Sequence, residues 1–202
     1  MRMLVLAMMI PLGTTWSFES DEADKPPAGF EFATTAKTPA GKWVVRKDGE
    51  AKVLVQEDAD KTNGRYALAV VKDASFKDLK LSVRAKPISG EVDQAAGLVW
   101  RYKDQDNYYV VRSNVLESNV RLYRVVNGNR IKFAGKEEVK LKAGEWHALR
   151  VEHKGTAITV FLNDVELFKA EDKVFPDAGK IGLWTKADSV TGFDDLAAEE
   201  MK

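Results

Sequence analysis

Apolar and polar residues alternate strictly through Leu79-Lys80-Leu81-Ser82-Val83-Arg84-Ala85, and alternation returns in Ala157–Leu162. A period of two is the signature of a strand with one buried face. Further runs rich in Val, Tyr, Phe, Trp and Ile, the residues a half-buried pleated surface prefers, occupy Trp43–Val45, Val53–Gln56, Tyr66–Val71, Gly97–Tyr102, Tyr108–Val115, Asn119–Val126, Arg130–Ala134, Trp146–Glu152, Val165–Ala170, Lys180–Thr185 and Gly192–Ala197. Polar joins separate them. Asn127-Gly128, two residues that tolerate positive φ, predicts a tight hairpin turn. Asn163-Asp164 parts two more strands, and Asp104–Asn107 and Lys142–Glu145 read as connections. No window carries a helical stripe. A dozen or more short strands with hairpin-length joins predict an all-β antiparallel sandwich or barrel.

The N-terminus departs from this pattern. Met1-Arg2 precedes an apolar stretch, Met3–Leu12, with small residues at Thr15 and Ser17. That order predicts a signal peptide over 1–17, against a buried N-terminal strand or helix as the competing reading, and hence an exported chain, periplasmic or extracellular. The apolar run is too short to span a bilayer and no other run approaches that length, so no membrane span is expected. Residues 18–29 are acidic, broken by Pro26-Pro27, and read as a lead-in to one domain over 30–198.

Composition narrows the chemistry. In 202 residues, 31 Lys and Arg balance 31 Asp and Glu, which gives no electrostatic reason to hold nucleic acid or an anionic membrane. Cysteine is absent, so disulfides, thiolate catalysis and cysteine-ligated metals are excluded.

Particular residues carry a resemblance. Ala96–Tyr102, Asp104–Arg112 and Val120–Tyr123 resemble the middle of a concanavalin A-like jelly roll. Gly144-Glu145-Trp146-His147-Ala148-Leu149-Arg150-Val151 is similar to a strand of laminin-G-like and glucanase-like members, as are Gly179–Thr185 and the closing Phe193–Leu196. The nearest group is the secreted 3-keto-disaccharide hydrolase-type domain, a family 16-like glycoside hydrolase, over roughly residues 28–198. The resemblance implies a two-sheet antiparallel jelly-roll sandwich. It leaves activity open, because such folds host lectins, adhesion modules and glycosidases alike.

Glu91-Val92-Asp93 matches only two of the three acids of the family 16 strand motif, and reads as a solvated acidic turn. His147 and His153 are about 20 Å apart along one strand, too far to share a metal, and each reads as a hydrogen-bonded structural residue. Asp104, Asp106 and Asn107, and the pair Asp194 and Asp195, offer oxygens that calcium favours, without a full ligand set. No cofactor is therefore expected, with a structural calcium at either cluster as the alternative. Aromatic and arginine residues are more suggestive, because sugar sites use flat rings against the pyranose and polar groups on its hydroxyls. Trp100, Tyr108, Tyr123 and Trp184, with Arg101, Arg112, Asn114, Arg121 and Lys186, form the candidate set. On Tyr108–Asn114 the even positions are the more polar and are expected to line a concave sheet.

The expected function is carbohydrate recognition by an exported, monomeric jelly-roll domain on that concave face. The alternatives are a glycoside hydrolase acting on 3-keto-disaccharides, as the resemblance implies, and a laminin-G-like protein-interaction module. A buried carboxylate facing Arg112 would favour the enzyme; an aromatic-poor face would favour the interaction module.

Overall fold

The structure, a computed structural model, describes residues 13–35 and 38–202. Of the signal peptide predicted over 1–17, residues 1–12 lie outside the described residues, and Thr14–Trp16 form a short strand paired with Leu196–Ala198. Fifteen strands follow: β1 Thr14–Trp16, β2 Phe30–Thr35, β3 Trp43–Asp48, β4 Ala51–Gln56, β5 Tyr66–Phe76, β6 Leu79–Ser89, β7 Ala95–Asp104, β8 Asn107–Asn114, β9 Asn119–Val126, β10 Asn129–Lys136, β11 His147–Lys154, β12 Ala157–Leu162, β13 Val165–Glu171, β14 Gly179–Lys186 and β15 Val190–Glu200. All thirteen strands expected from the pattern are present, and β1 and β2 add to them.

The strands form two antiparallel sheets. An eight-stranded sheet has the order β13-β12-β11-β6-β15-β4-β3, with β1 paired to β15 beyond the end of β4; a seven-stranded sheet has the order β10-β9-β8-β7-β14-β5-β2. This is the predicted all-β jelly-roll sandwich. The hairpin β9–β10 turns on Asn127 and Gly128 at φ 49° and 78°, and β12–β13 turns on Asn163 and Asp164 at 49° and 63°, the doubly positive geometry of a two-residue hairpin. The lead-in is tied to the fold: Phe18 is buried against the Phe30 ring, and the backbones of Asp24 and Lys25 bond to that of Val45.

The main core lies between the sheets. Leu81, Val83, Leu149, Val151, Ile158 and Val160 from one sheet meet Leu98, Trp100, Tyr109, Val111, Leu122, Ile181 and Leu183 from the other. The outer face of the seven-stranded sheet is apolar too. Leu68, Val70, Ala95, Val99, Tyr102, Tyr108, Val110, Tyr123, Val125 and Trp184 form a second buried cluster there. This sheet therefore buries both faces.

A bulge in β7 divides its aromatic residues between the two clusters. Pairing with β8 slips between Trp100 and Asp104, and Arg101 takes φ 44°. Trp100 and Tyr102, which share a parity in sequence, thus lie on opposite faces. Gly179 makes the bulge possible, because a Cβ there would lie 2.4 Å from the Arg101 carbonyl carbon.

Both histidines are buried on β11. His147 Nε2 meets the backbone of Lys142, and His153 Nδ1 accepts a 2.9 Å hydrogen bond from Trp100 Nε1. Burial, reinforced by the charge of Arg101, lowers the His153 pKa to about 4. Below pH ~6.5 the unfolded chain binds a proton here that the folded chain refuses, so stability should fall by about 1.5–2 kcal/mol between pH 6.5 and 5. Urea titrations across that window should show the loss in the wild-type protein and a flatter profile in His153→Asn. An unchanged slope in the variant would remove His153 as the cause.

Candidate functional site

The outer face of the seven-stranded sheet is concave, and Arg130 shows how strongly. Its guanidinium lies 4.4 Å from the Tyr123 ring on β9, 5.7 Å from Trp184 on β14 and 4.7 Å from Tyr66 on β5. Arg130 itself stands on the edge strand β10, five strand spacings from β5, about 24 Å across a flat sheet. One side chain meets all three rings only if the sheet wraps around them. Trp184 stacks on Tyr66 at 5.2 Å and donates through Nε1 to the Tyr108 hydroxyl at 3.3 Å, and that hydroxyl lies 2.6 Å from Thr35 Oγ1.

Polar groups converge at one end of this face, where β8 turns into β9. Arg112 is buried, donating from Nη1 to Asn119 Oδ1 at 2.8 Å and from Nη2 to Glu117 Oε2 at 2.8 Å and the Tyr123 hydroxyl at 3.2 Å. Arg121 bridges Glu117 and Glu137. Burial alone would raise the Glu117 pKa, but hydrogen bonding and charge from Arg112, with Asn119 and Arg121, hold it below the usual carboxylate range. The Arg121 hydrogen bond lowers Glu137 to about 2. Asp93 lies deeper, 1% exposed, accepting from Asn114 Nδ2 and, at 2.5 Å, from Lys186 Nζ. Burial raises its pKa, and Lys186 only partly offsets that. The turn that delivers Asp93 is fixed by Asp188, whose carboxylate accepts from the amides of Glu91, Val92 and Asp93.

Of the nine residues chosen from sequence, the fold brings seven to this face: Tyr108, Arg112, Asn114, Arg121, Tyr123, Trp184 and Lys186. Trp100 and Arg101 lie elsewhere. Trp100 is in the core between the sheets, stacked on Tyr109. The Arg101 side chain is spent on the bulge, donating to the carbonyls of Lys77, Phe175 and Gly155 and to Asp78. Trp100 faces inward by the regular alternation of β7, which points Leu98 and Trp100 to the core and Val99 to the outer face, whereas Arg101 is placed by the bulge, which no sequence pattern marks.

Three further corrections follow. The rings form no open platform, since Tyr108 and Trp184 are fully buried and Arg130 covers them. Arg112 does not line an exposed groove but is buried on structural partners. Asp93 is no solvated turn residue, although its neighbours Glu91 and Val92 are exposed. Arg130, Tyr66, Glu117 and Asn119 were not singled out from sequence; Arg130, two residues past the Asn127-Gly128 turn, had the strand parity as its only signal. Among the described residues, no group of three or more His, Asp or Glu is placed to hold a metal ion. Asp104 Oδ1 instead accepts from the Asp106 amide and Asn107 Nδ2, and Asp194 Oδ1 from the Asp195 amide.

A family model for the 3-keto-alpha-glucoside-1,2-lyase-like domain matches residues 16–197. The chain belongs to this family. Comparison with curated proteins finds no match. Among solved structures, the carbohydrate-binding module CBM66 from Bacillus subtilis is similar at 22% identity and TM-score 0.66, over 84% of this chain and 95% of that one. Domain 4 of AbnA, a GH43 extracellular arabinanase from Geobacillus stearothermophilus solved with arabinotriose, is similar at 17% identity and TM-score 0.60, over 93% of each chain. The exoplasmic/lumenal domain of VIP36, in a Ca2+- and mannose-bound form, is similar at 10% identity and TM-score 0.64, over 94% of this chain and 89% of that one. At these identities the likenesses establish the jelly-roll fold.

Arg112→Ala tests the reading of the polar network. Losing a buried guanidinium strands Asn119 and the Tyr123 hydroxyl and halves the pairing of Glu117, which should cost about 2–3 kcal/mol. The urea midpoint should fall accordingly, and Arg112→Lys should not restore it, because one ammonium cannot reach both partners in the fork geometry. A midpoint unchanged by Arg112→Ala would return Arg112 to an exposed, ligand-only role.

Proposed function

We propose that the concave face of the seven-stranded sheet recognises carbohydrate. The observation that carries this is the convergence of Tyr66, Tyr123 and Trp184 around one concavity with Arg121, Glu117 and Lys186 at its rim. Rings supply flat apolar surface to a pyranose, and the rim supplies donors and acceptors for its hydroxyls. Membership of a family named for a glucoside-cleaving activity supports the reading, as do similar jelly rolls described as a carbohydrate-binding module and as an arabinotriose complex. An aromatic-rich concave face argues against a laminin-G-like interaction module.

A second reading rests on Asp93. A 1,2-elimination from a 3-keto-glucoside removes the C2 proton, which the C3 carbonyl acidifies. The C2–H electron pair becomes the C1–C2 double bond, and the aglycone leaves with its C1–O bonding electrons and takes up a proton. Such a step needs a carboxylate base of raised pKa and a cation to stabilise enolate charge. Asp93, raised by burial, beside Lys186 is the pair on this face that meets both needs.

One experiment covers both readings. Calorimetric titration with a panel of oligosaccharides should find binding that Tyr66→Ala weakens about 5- to 10-fold, the scale of one lost ring contact, in a variant that stays folded but melts lower because the Tyr66 ring also stacks on Trp184. Incubation with 3-keto and unmodified disaccharides decides catalysis: turnover of the keto sugar alone, reduced at least 100-fold in Asp93→Asn, makes Asp93 the base. Failure of every saccharide to bind or react would overturn the proposal.

A further inference from the structure

Arg130 is, among the described residues, the one arginine with neither a hydrogen bond nor an ion pair. Arg46, Arg65, Arg84, Arg101, Arg112, Arg121, Arg124 and Arg150 each meet at least one carboxylate. Arg130 Nη1 is nevertheless buried and unpartnered. Its surroundings are three aromatic rings, whose faces attract a cation but accept no conventional hydrogen bond. Near the same Tyr123 ring lies a second orphan: Arg112, 5.8 Å from that ring's centre, has its Nε buried without a partner although its other two nitrogens are satisfied. Buried donors are nearly always paired, and a desolvated cation without a counter-ion is costly. Two unpaired guanidinium N–H groups near one tyrosine therefore mark a place where acceptor atoms are missing.

A neutral sugar hydroxyl would satisfy one donor but leave the Arg130 charge uncompensated. A carboxylate or a sulfate ester supplies both acceptors and charge, in the planar two-oxygen geometry a guanidinium matches best. Among the described residues no carboxylate pairs with Arg130, and Glu117 and Glu137 are already committed to Arg112, Arg121 and Lys132. We propose that the saccharide taken by the concave face carries an anionic group that pairs with Arg130. The inference rests on the carbohydrate reading above and specifies its ligand. Chain-wide charge does not oppose it, because the balance of 31 against 31 leaves recognition to this local cation.

The test is calorimetric titration at 50 mM salt with three oligosaccharides of equal length: glucose oligomers, glucuronate oligomers and sulfated glucose oligomers. The wild-type protein should prefer at least one anionic series over the neutral one by 10-fold or more. The preferred series identifies carboxylate or sulfate, and the preference should shrink at 500 mM salt. Arg130→Gln should erase the preference, whereas Lys80→Gln, which removes the same charge from the opposite sheet, should keep it. Thermal melting of Arg130→Gln shows whether the variant is folded; if it is not, Arg130→Lys, which keeps the charge without the fork, should reduce the preference several-fold. Equal binding of neutral and anionic oligomers by the wild-type protein would overturn this inference and leave the carbohydrate reading standing. Absence of binding to all three would overturn both. An anionic preference that survives Arg130→Gln in a folded variant would overturn the assignment to Arg130.

Discussion

The seven-stranded sheet has to bury both of its faces, and the candidate site follows from that constraint. Its inner face packs against the eight-stranded sheet in the ordinary way of a sandwich. Its outer face carries Tyr102, Tyr108, Val110, Val125 and Trp184, with no second layer of strands among the described residues to cover them. The sheet curls instead, so the rings shield one another, and the remaining opening is closed by the side chain of Arg130 reaching in from the edge strand. The concavity is thus a consequence of where the aromatic residues lie.

That solution creates unequal electrostatics. At the rim, charges find partners: Lys186 meets Asp93, and Arg112 and Arg121 meet Glu117 and Glu137. These pairs hold the β8–β9 turn and the Gly90 loop in place and, being partly dry, matter more than surface pairs do. In the centre, Arg130 has only ring faces. The face therefore combines a rigid, satisfied rim with one unsatisfied cation, an arrangement suited to orienting a ligand that brings its own acceptors.

Most of the fold was legible in the sequence, because strand burial writes itself as a period of two and hairpins as Asn-Gly-type pairs. β2 escaped because Phe30-Glu31-Phe32 directly follows a stretch that reads as a linker. The site was legible in part. Parity placed Tyr108, Arg112 and Asn114 on the outer face, as well as Tyr123 and Trp184. Trp100 pairs with Tyr109 and shares its inward face, and Arg101 escaped because its bulge depends on what the neighbouring strand tolerates, here the missing side chain at Gly179. Arg130 and Tyr66 escaped for a different reason: they lie five strand positions apart in the sheet, on β10 and β5, and 64 residues apart in sequence, and only curvature brings them together. Asp93 looked like a loop residue because the partner that buries it, Lys186, is 93 positions away.

The central claim is that this concave face receives a saccharide whose anionic group pairs with Arg130. A crystal structure of the protein soaked with the tightest-binding oligosaccharide tests it most directly. The expected result is a sugar ring packed on Tyr66, Tyr123 or Trp184, with the Arg130 guanidinium paired to the anionic group of the ligand. Sugar density in the cleft lined by Arg124, Thr156 and Asp172, between β9 of this sheet and the end of β13 of the other, with Arg130 unpaired on its three rings, would contradict it.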